Sequence, residues 1–151
     1  MSVSGPEPFD SPDVAVLARA QQEELRALDG EGDIGPTREA AMFEPPDGVF
    51  LVVREDGRAI ACGGLARFDE KRAELKRMYV VPEVRGRGYG RRVLAELEAY
   101  ARRLGYTGIV LETGELQAEA IGLYRSAGYE RIPCYGAYAA RAWSRCFEKQ
   151  F

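Results

Sequence analysis

Histidine is missing from all 151 residues, tryptophan occurs once and cysteine three times. Each scarcity excludes something. Without an imidazole, proton transfer near neutral pH falls to a carboxylate, a tyrosinate, a thiolate or a chain of water. Cys62, Cys134 and Cys146 are unevenly spaced and match no metal pattern. Free thiols in a reducing cytoplasm are the expectation they raise. No run approaches the ~18 apolar residues of a membrane span. The start, Met-Ser-Val-Ser-Gly-Pro-Glu-Pro, has neither the cationic residues nor the apolar core of a signal peptide. A net charge of −3 argues against a chain held to nucleic acid by its overall field. Internal repeats and low-complexity linkers are also lacking.

What remains is an ordinary globular composition at a length that reads as one domain, residues 1–151. Residues 1–10, rich in Pro and Gly, are expected to fray or to add a short edge strand. Asp10, Ser11 or Asp13 can cap a helix whose stripe is Val14, Leu17, Ala18, Leu25 and Leu28 and whose stop is Asp29-Gly30. Thr37 can cap a short turn reaching Phe43. Three strands follow, at 49–54, 59–68 and 73–81. Asp56-Gly57 marks the hairpin between the first two, and Gly63-Gly64 predicts a bulge or a close approach in the second. A helix to about Leu104, a strand at 107–112, a helix at 115–127 with Leu116 in its stripe, and strands near 129–132 and 142–149 complete the chain. The class is α+β or mixed α/β, antiparallel in its first half, with a parallel, right-handed strand–helix–strand unit over 73–112.

The most telling segment is Arg85-Gly86-Arg87-Gly88-Tyr89-Gly90-Arg91-Arg92. It joins an apolar strand to a helix with the stripe Val93, Leu94, Leu97, Tyr100, Ala101 and Leu104. Strand, glycine loop and helix start together suit an anion, because the glycines let backbone approach and the helix N–H groups point outward. The Walker ending Gly-Lys-Ser/Thr is missing, and the glycine spacing is wrong for a dinucleotide fingerprint. An Arg-Gly nucleic-acid tract would not run straight into an apolar helix. A plain turn with solvated arginines is the competing structural reading.

This loop resembles the Arg/Gln-x-x-Gly-x-Gly/Ala signature of the GNAT family of N-acetyltransferases. Leu75–Pro82 is similar to that family's fourth strand. Ala120-Ile121-Gly122-Leu123-Tyr124-Arg125-Ser126-Ala127-Gly128-Tyr129 resembles its second signature, Ala-x-x-Leu-Tyr-x-x-x-Gly-Phe/Tyr. The resemblance implies a mostly antiparallel sheet whose fourth and fifth strands splay, with flanking helices. It implies acetyl-CoA as cosubstrate and no metal. The diphosphate would sit on Arg85, Gly86, Arg87, Gly88, Tyr89, Gly90 and Arg91, and the pantetheine arm beside the backbone of Met78, Tyr79 and Val80. Gln117 stands where the family usually has asparagine, so a cofactor contact there is open.

The chemistry implied is direct transfer of an acetyl group from the thioester to a primary amine. The amine must lose its proton and the departing thiolate must gain one. Tyr124 matches the family tyrosine at the CoA sulfur; as a structural residue it would be a core aromatic. Glu74 is the candidate base. Strand alternation sets it on one face with Lys76, Met78 and Val80, and its structural reading is an exposed glutamate paired with a cross-strand arginine. Glu112-Thr113-Gly114 and Pro133-Cys134-Tyr135-Gly136-Ala137-Tyr138 are candidates for the acceptor pocket. Cys134 is a poor nucleophile with no histidine to activate it. Arg141, Arg145 and Lys149 read as a solvated strand face. The acceptor stays open among small-molecule and peptide amines, as do another acyl-CoA donor and a non-catalytic CoA-binding module. Nucleic acid and membrane are not expected partners, and a homodimer is compatible with this reading.

Overall fold

The computed structural model describes residues 1–35 and 40–151; the Thr37 cap lies outside them. The strands are Ser2–Pro6 (β1), Val49–Glu55 (β2), Arg58–Arg67 (β3), Arg72–Val80 (β4), Gly108–Gly114 (β5), Glu130–Ile132 (β6) and Ser144–Gln150 (β7). The helices are Pro12–Asp29 (α1), Tyr89–Arg103 (α2) and Ala118–Ser126 (α3). One seven-stranded sheet holds them in the order β1-β2-β3-β4-β5-β7-β6. Only the β4–β5 pair is parallel among the described strands. No described helix is long and apolar enough to cross a membrane.

Local chemistry explains most boundaries. Asp56 and Gly57 both take positive φ, 50° and 86°, as a tight hairpin turn requires. Gly30 closes α1 in the left-handed region and donates its N–H to the Arg26 carbonyl. The first residues do not fray: β1 pairs with β2 over five residues, from Ser2 opposite Glu55 to Pro6 opposite Leu51. α2 buries Val93, Leu94, Leu97 and Ala101 against the sheet. Truncating Leu97 to alanine there would cost ~2–5 kcal/mol.

Three expectations need correction. Leu28 is 44% exposed, because only the N-terminal half of α1, with Val14 and Leu17, reaches the core. Leu116 is 59% exposed and precedes α3. The Glu115 N–H is drawn instead to the Trp143 carbonyl and its carboxylate to Arg145, and the Gln117 N–H bonds the Gly114 carbonyl, so residues 115–116 form a turn ahead of the helix. The cysteines are not all free: Cys134 and Cys146 form a disulfide, and Cys62 is the buried thiol. The β6–β7 register causes this. Ile132 lies opposite Cys146, so the residue two further on comes within a 5.1 Å Cα separation.

The glycine pair in β3 serves close approach. A Cβ on Gly63 would lie 2.6 Å from Met78 Sδ and 3.0 Å from Leu97 and Val93; one on Gly64 would strike the Phe43 and Phe50 rings. The bulge opposite them belongs to β4. Cys62 pairs with Tyr79 and Gly64 with Lys76, so β4 spends one extra residue, and Arg77 turns to a φ of 61°.

Candidate active site

That one residue reverses the side-chain alternation of β4. Lys76 shares the face of Gly64, toward Phe43 and α1; Met78 meets Gly63 and the α2 side, and Val80 lies near Gly90 at the start of α2. The expectation that Glu74, Lys76, Met78 and Val80 line one face is therefore wrong. Two polar residues face one way and two apolar residues the other.

The bulge also coincides with a parting of the sheet. β4 pairs with β5 only at Arg72–Gly108, Ala73–Ile109 and Glu74–Val110. Beyond Glu74, β5 follows β7, reaching Gly114 opposite Ser144, while β4 stays on β3. Val81 donates its N–H to the Ile60 carbonyl on the β3 side. Alternation then puts the main-chain groups of Met78 and Val80 on the edge facing the gap. Their carbonyls accept from Gln21 Nε2 and Arg85 Nε, both at 2.9 Å. A cleft opens there, walled by Gln21, Gln22, Lys76, Met78, Glu112, Gln117, Tyr124 and Arg141 among others.

At one end of the gap sits the glycine loop. Gly86 and Gly88 hold φ of 81° and 86°, which L side chains adopt at a cost. A Cβ on either would point into open space. Gly88 is the cap residue of α2, so the helix's first N–H groups face outward without intrahelical partners. The arginines divide their work. Arg85 binds Glu24 at 2.7 Å and lies over the Tyr79 ring. Arg91 donates to Ser126 Oγ at 2.9 Å, and Arg92 to the Ser2 and Ser4 hydroxyls. Arg87 is exposed and makes no ion pair among the described residues. Tyr89 turns away and donates its hydroxyl to Glu55 at 2.6 Å.

Tyr124 lines the cleft and is 6% exposed. Burial, with the Glu112 carboxylate nearby, pushes its hydroxyl above the ordinary tyrosine range, so it stays protonated at neutral pH. Gln117, at the cap position of α3, makes no side-chain capping bond and lines the same cleft. Glu74 is placed differently from expectation. It is 2% exposed rather than exposed on the strand surface, lies off the cleft wall, and accepts the Tyr135 hydroxyl at 3.2 Å.

The opposite wall is a buried polar network that no motif announced. Lys76 Nζ donates to Asp33 Oδ2 at 2.5 Å and to the Tyr138 hydroxyl at 2.7 Å. Tyr138 donates in turn to Asp33 Oδ1, and the Gly35 N–H adds a third bond. Burial opposes ionisation of Asp33, but the Lys76 ammonium and these donors win and hold its carboxyl down to about 2. Arg141 is no solvated strand residue. Its side chain is 7% exposed, stacks on Trp143 at 3.7 Å and donates to Glu112 at 2.8 Å and to the Gly32 carbonyl. Arg145 and Lys149 are paired with Glu115 and Glu98. The acceptor-side candidates thus partly converge: Glu112 and Thr113 line the cleft, and Tyr138 braces its wall. No described cluster of three or more Cys, Asp or Glu residues is arranged to hold a metal.

Comparison with known proteins agrees with this geometry. A sequence profile of the acetyltransferase (GNAT) family matches residues 16–129. The chain is 37% identical over 124 residues to an IAA acetyltransferase of Azospirillum brasilense, covering 78% of this chain and 81% of that protein. It superimposes on a protein described as an acyl-CoA N-acyltransferase from Klebsiella pneumoniae with a TM-score of 0.85 and 28% identity, over 99% of this chain and 97% of that one. A GNAT family acetyltransferase from Elizabethkingia anophelis, solved with acetyl-CoA bound, shares the fold at a TM-score of 0.69 and 16% identity, over 99% and 98% of the two chains. The parted strands, the glycine loop between strand and helix, and these matches make the chain a member of the GNAT family of acetyltransferases.

Proposed function

We propose that residues 1–151 act as one acyltransferase domain that moves an acetyl group from acetyl-CoA to a primary amine by direct transfer. The observation that carries this is the gap between β4 and β5, with the outward-facing start of α2 at one end and the Tyr124 hydroxyl in its wall. The diphosphate would rest on residues 85–91, where the Gly86 and Gly88 positions face open space and Arg87 is unengaged by carboxylates among the described residues. The pantetheine arm would lie along the open edge of β4, exchanging bonds with the Met78 and Val80 main chain that Gln21 and Arg85 now hold. An N–H on that edge polarises the thioester carbonyl as negative charge develops. Tyr124, kept protonated, gives its proton to the leaving thiolate. Glu74 takes the amine proton through Tyr135, whose hydroxyl its carboxylate accepts.

Incubation with acetyl-CoA and a panel of primary amines, with free thiol as the readout, tests the reading. Release of CoA that depends on an amine is expected. CoA binding with no release for any amine would leave a cofactor-binding module instead.

A further inference from the structure

Arg77 has no part in the steps above, yet it is the most conspicuous side chain of the cleft. It occupies the bulge of β4 at a φ of 61°, a left-handed conformation that a non-glycine residue adopts only where its surroundings enforce it. Its side chain is 16% exposed and borders the cleft next to Met78. Nε and Nη1 are buried with no hydrogen-bond partner among the described residues.

The nearby carboxylates do not meet this need. Asp33 Oδ2 forms an ion pair with Nη1 at 3.6 Å, but that is too long for a hydrogen bond, and Asp33 Oδ2 is also held by Lys76. Asp33 Oδ1 accepts from Tyr138 and Gly35. Glu112 Oε2 accepts from Arg141 and Ser144. Asp29 Oδ1 accepts the N–H groups of Glu31 and Gly32. Two buried guanidinium nitrogens without hydrogen-bond acceptors are costly even beside an ion-pair partner, and such groups call for an acceptor.

We propose that the amine acceptor carries a carboxylate, and that Arg77 binds it. The substrate class is an amino acid, with its amine directed toward the Met78–Tyr124 end of the cleft and its carboxylate toward the bulge. The assignment rests on the acetyl-transfer reading. It gives the bulge a purpose: the extra residue sets a cation beside the edge along which the thioester would lie. Arginine is the fitting residue, because it stays charged and its planar fork matches a carboxylate.

The test is a panel of α-, β- and γ-amino acids, each beside its own carboxamide, assayed with acetyl-CoA by thiol release. Binding of the same acids to CoA-saturated protein is followed in parallel through the fluorescence of Trp143, which stacks on Arg141 at the cleft. For accepted compounds kcat/KM should favour the acid over its amide by ~10–10²-fold, the worth of a hydrogen-bonded charge pair. Arg77→Gln should bring that ratio close to one by lowering the acid alone, with CoA affinity and melting temperature retained; Arg77→Lys should keep part of it. An amide used as well as its acid, or an unchanged ratio in Arg77→Gln, overturns the assignment. So does the failure of every amino acid to react or bind while other amines are acetylated. Absence of CoA binding or of any amine-dependent release would instead defeat the acetyl-transfer reading beneath it.

Discussion

The two ends of the cleft are built in opposite ways. At the glycine loop, the groups that would meet a ligand are consecutive in the chain, exposed, and shaped by backbone conformation. At the Asp33–Lys76–Tyr138 wall they come from three distant segments, are buried, and hold one another by charge. A local motif can be changed without unfolding the sheet, so its loss should show mainly in binding. A network assembled across the chain couples function to stability, because removing one member strands the others.

The largest expected effect is at the loop. Gly88→Glu should abolish CoA binding in calorimetry, since the carboxylate would enter the space beside the helix start. Gly88→Ala is the control. It meets no neighbour, so it should bear only the backbone cost of about 1–2 kcal/mol for a φ of 86°. Unchanged affinity in a folded Gly88→Glu protein would remove the loop from the cofactor site. Second, Tyr124→Phe should lower kcat by ~10²-fold or more with little change in CoA affinity. Because the hydroxyl is pushed upward by burial, the wild-type rate should show no limb from Tyr124 near neutral pH. A rate within about twofold of wild type, with chemistry limiting, would make this a packing tyrosine.

Third, Glu74→Gln and Tyr135→Phe should each reduce kcat/KM by about tenfold or more, and the double variant little further, if the two form one proton path. Two acceptors of different amine pKa identify the acid limb, since an enzyme group stays fixed while a substrate group moves. Full activity of both variants would make Glu74 structural. The smallest effect concerns stability. Asp33 titrates at about 2 in the fold against an ordinary 3.8. Its contribution, on the order of 2 kcal/mol, is complete above the ordinary value and is lost as pH falls through about 2. Asp33→Asn should melt lower at neutral pH, and the difference from wild type should shrink between pH 4 and 2. A constant difference across that window would show that Asp33 gains nothing from its partners.

Legibility in the sequence follows the same division. The hairpin at Asp56-Gly57, the α2 stripe and the glycine loop obey rules that act within a few residues, whereas Tyr124 stands out only through the family signature it resembles. The parallel pairing of β4 with β5 follows from a general handedness rule. Asp33 sits in a loop with no periodicity, and only the fold delivers it to Lys76. Arg141 read as solvated because nothing near it in sequence shows that Glu112 and the Gly32 carbonyl, 29 and 109 residues away, accept its hydrogen bonds. The bulge misled most. One residue out of step at Arg77 inverted the assignment of β4 faces, and Gly63-Gly64 signalled an irregularity without revealing which strand carried it. The cysteine pairing was hidden for a related reason, since it depends on the register of β6 with β7.

The side chains now resting on the open edge of β4 have a consequence for the protein in a crowded cell. A sheet that parts in its middle exposes two inner edges, and unpaired strand edges are templates for other chains. Gln21 and Arg85 occupy the Met78 and Val80 carbonyls that an intruding strand would seek first. An intruding strand would first have to displace these two donors, so the parted seam is a poorer template for strand addition than a bare edge.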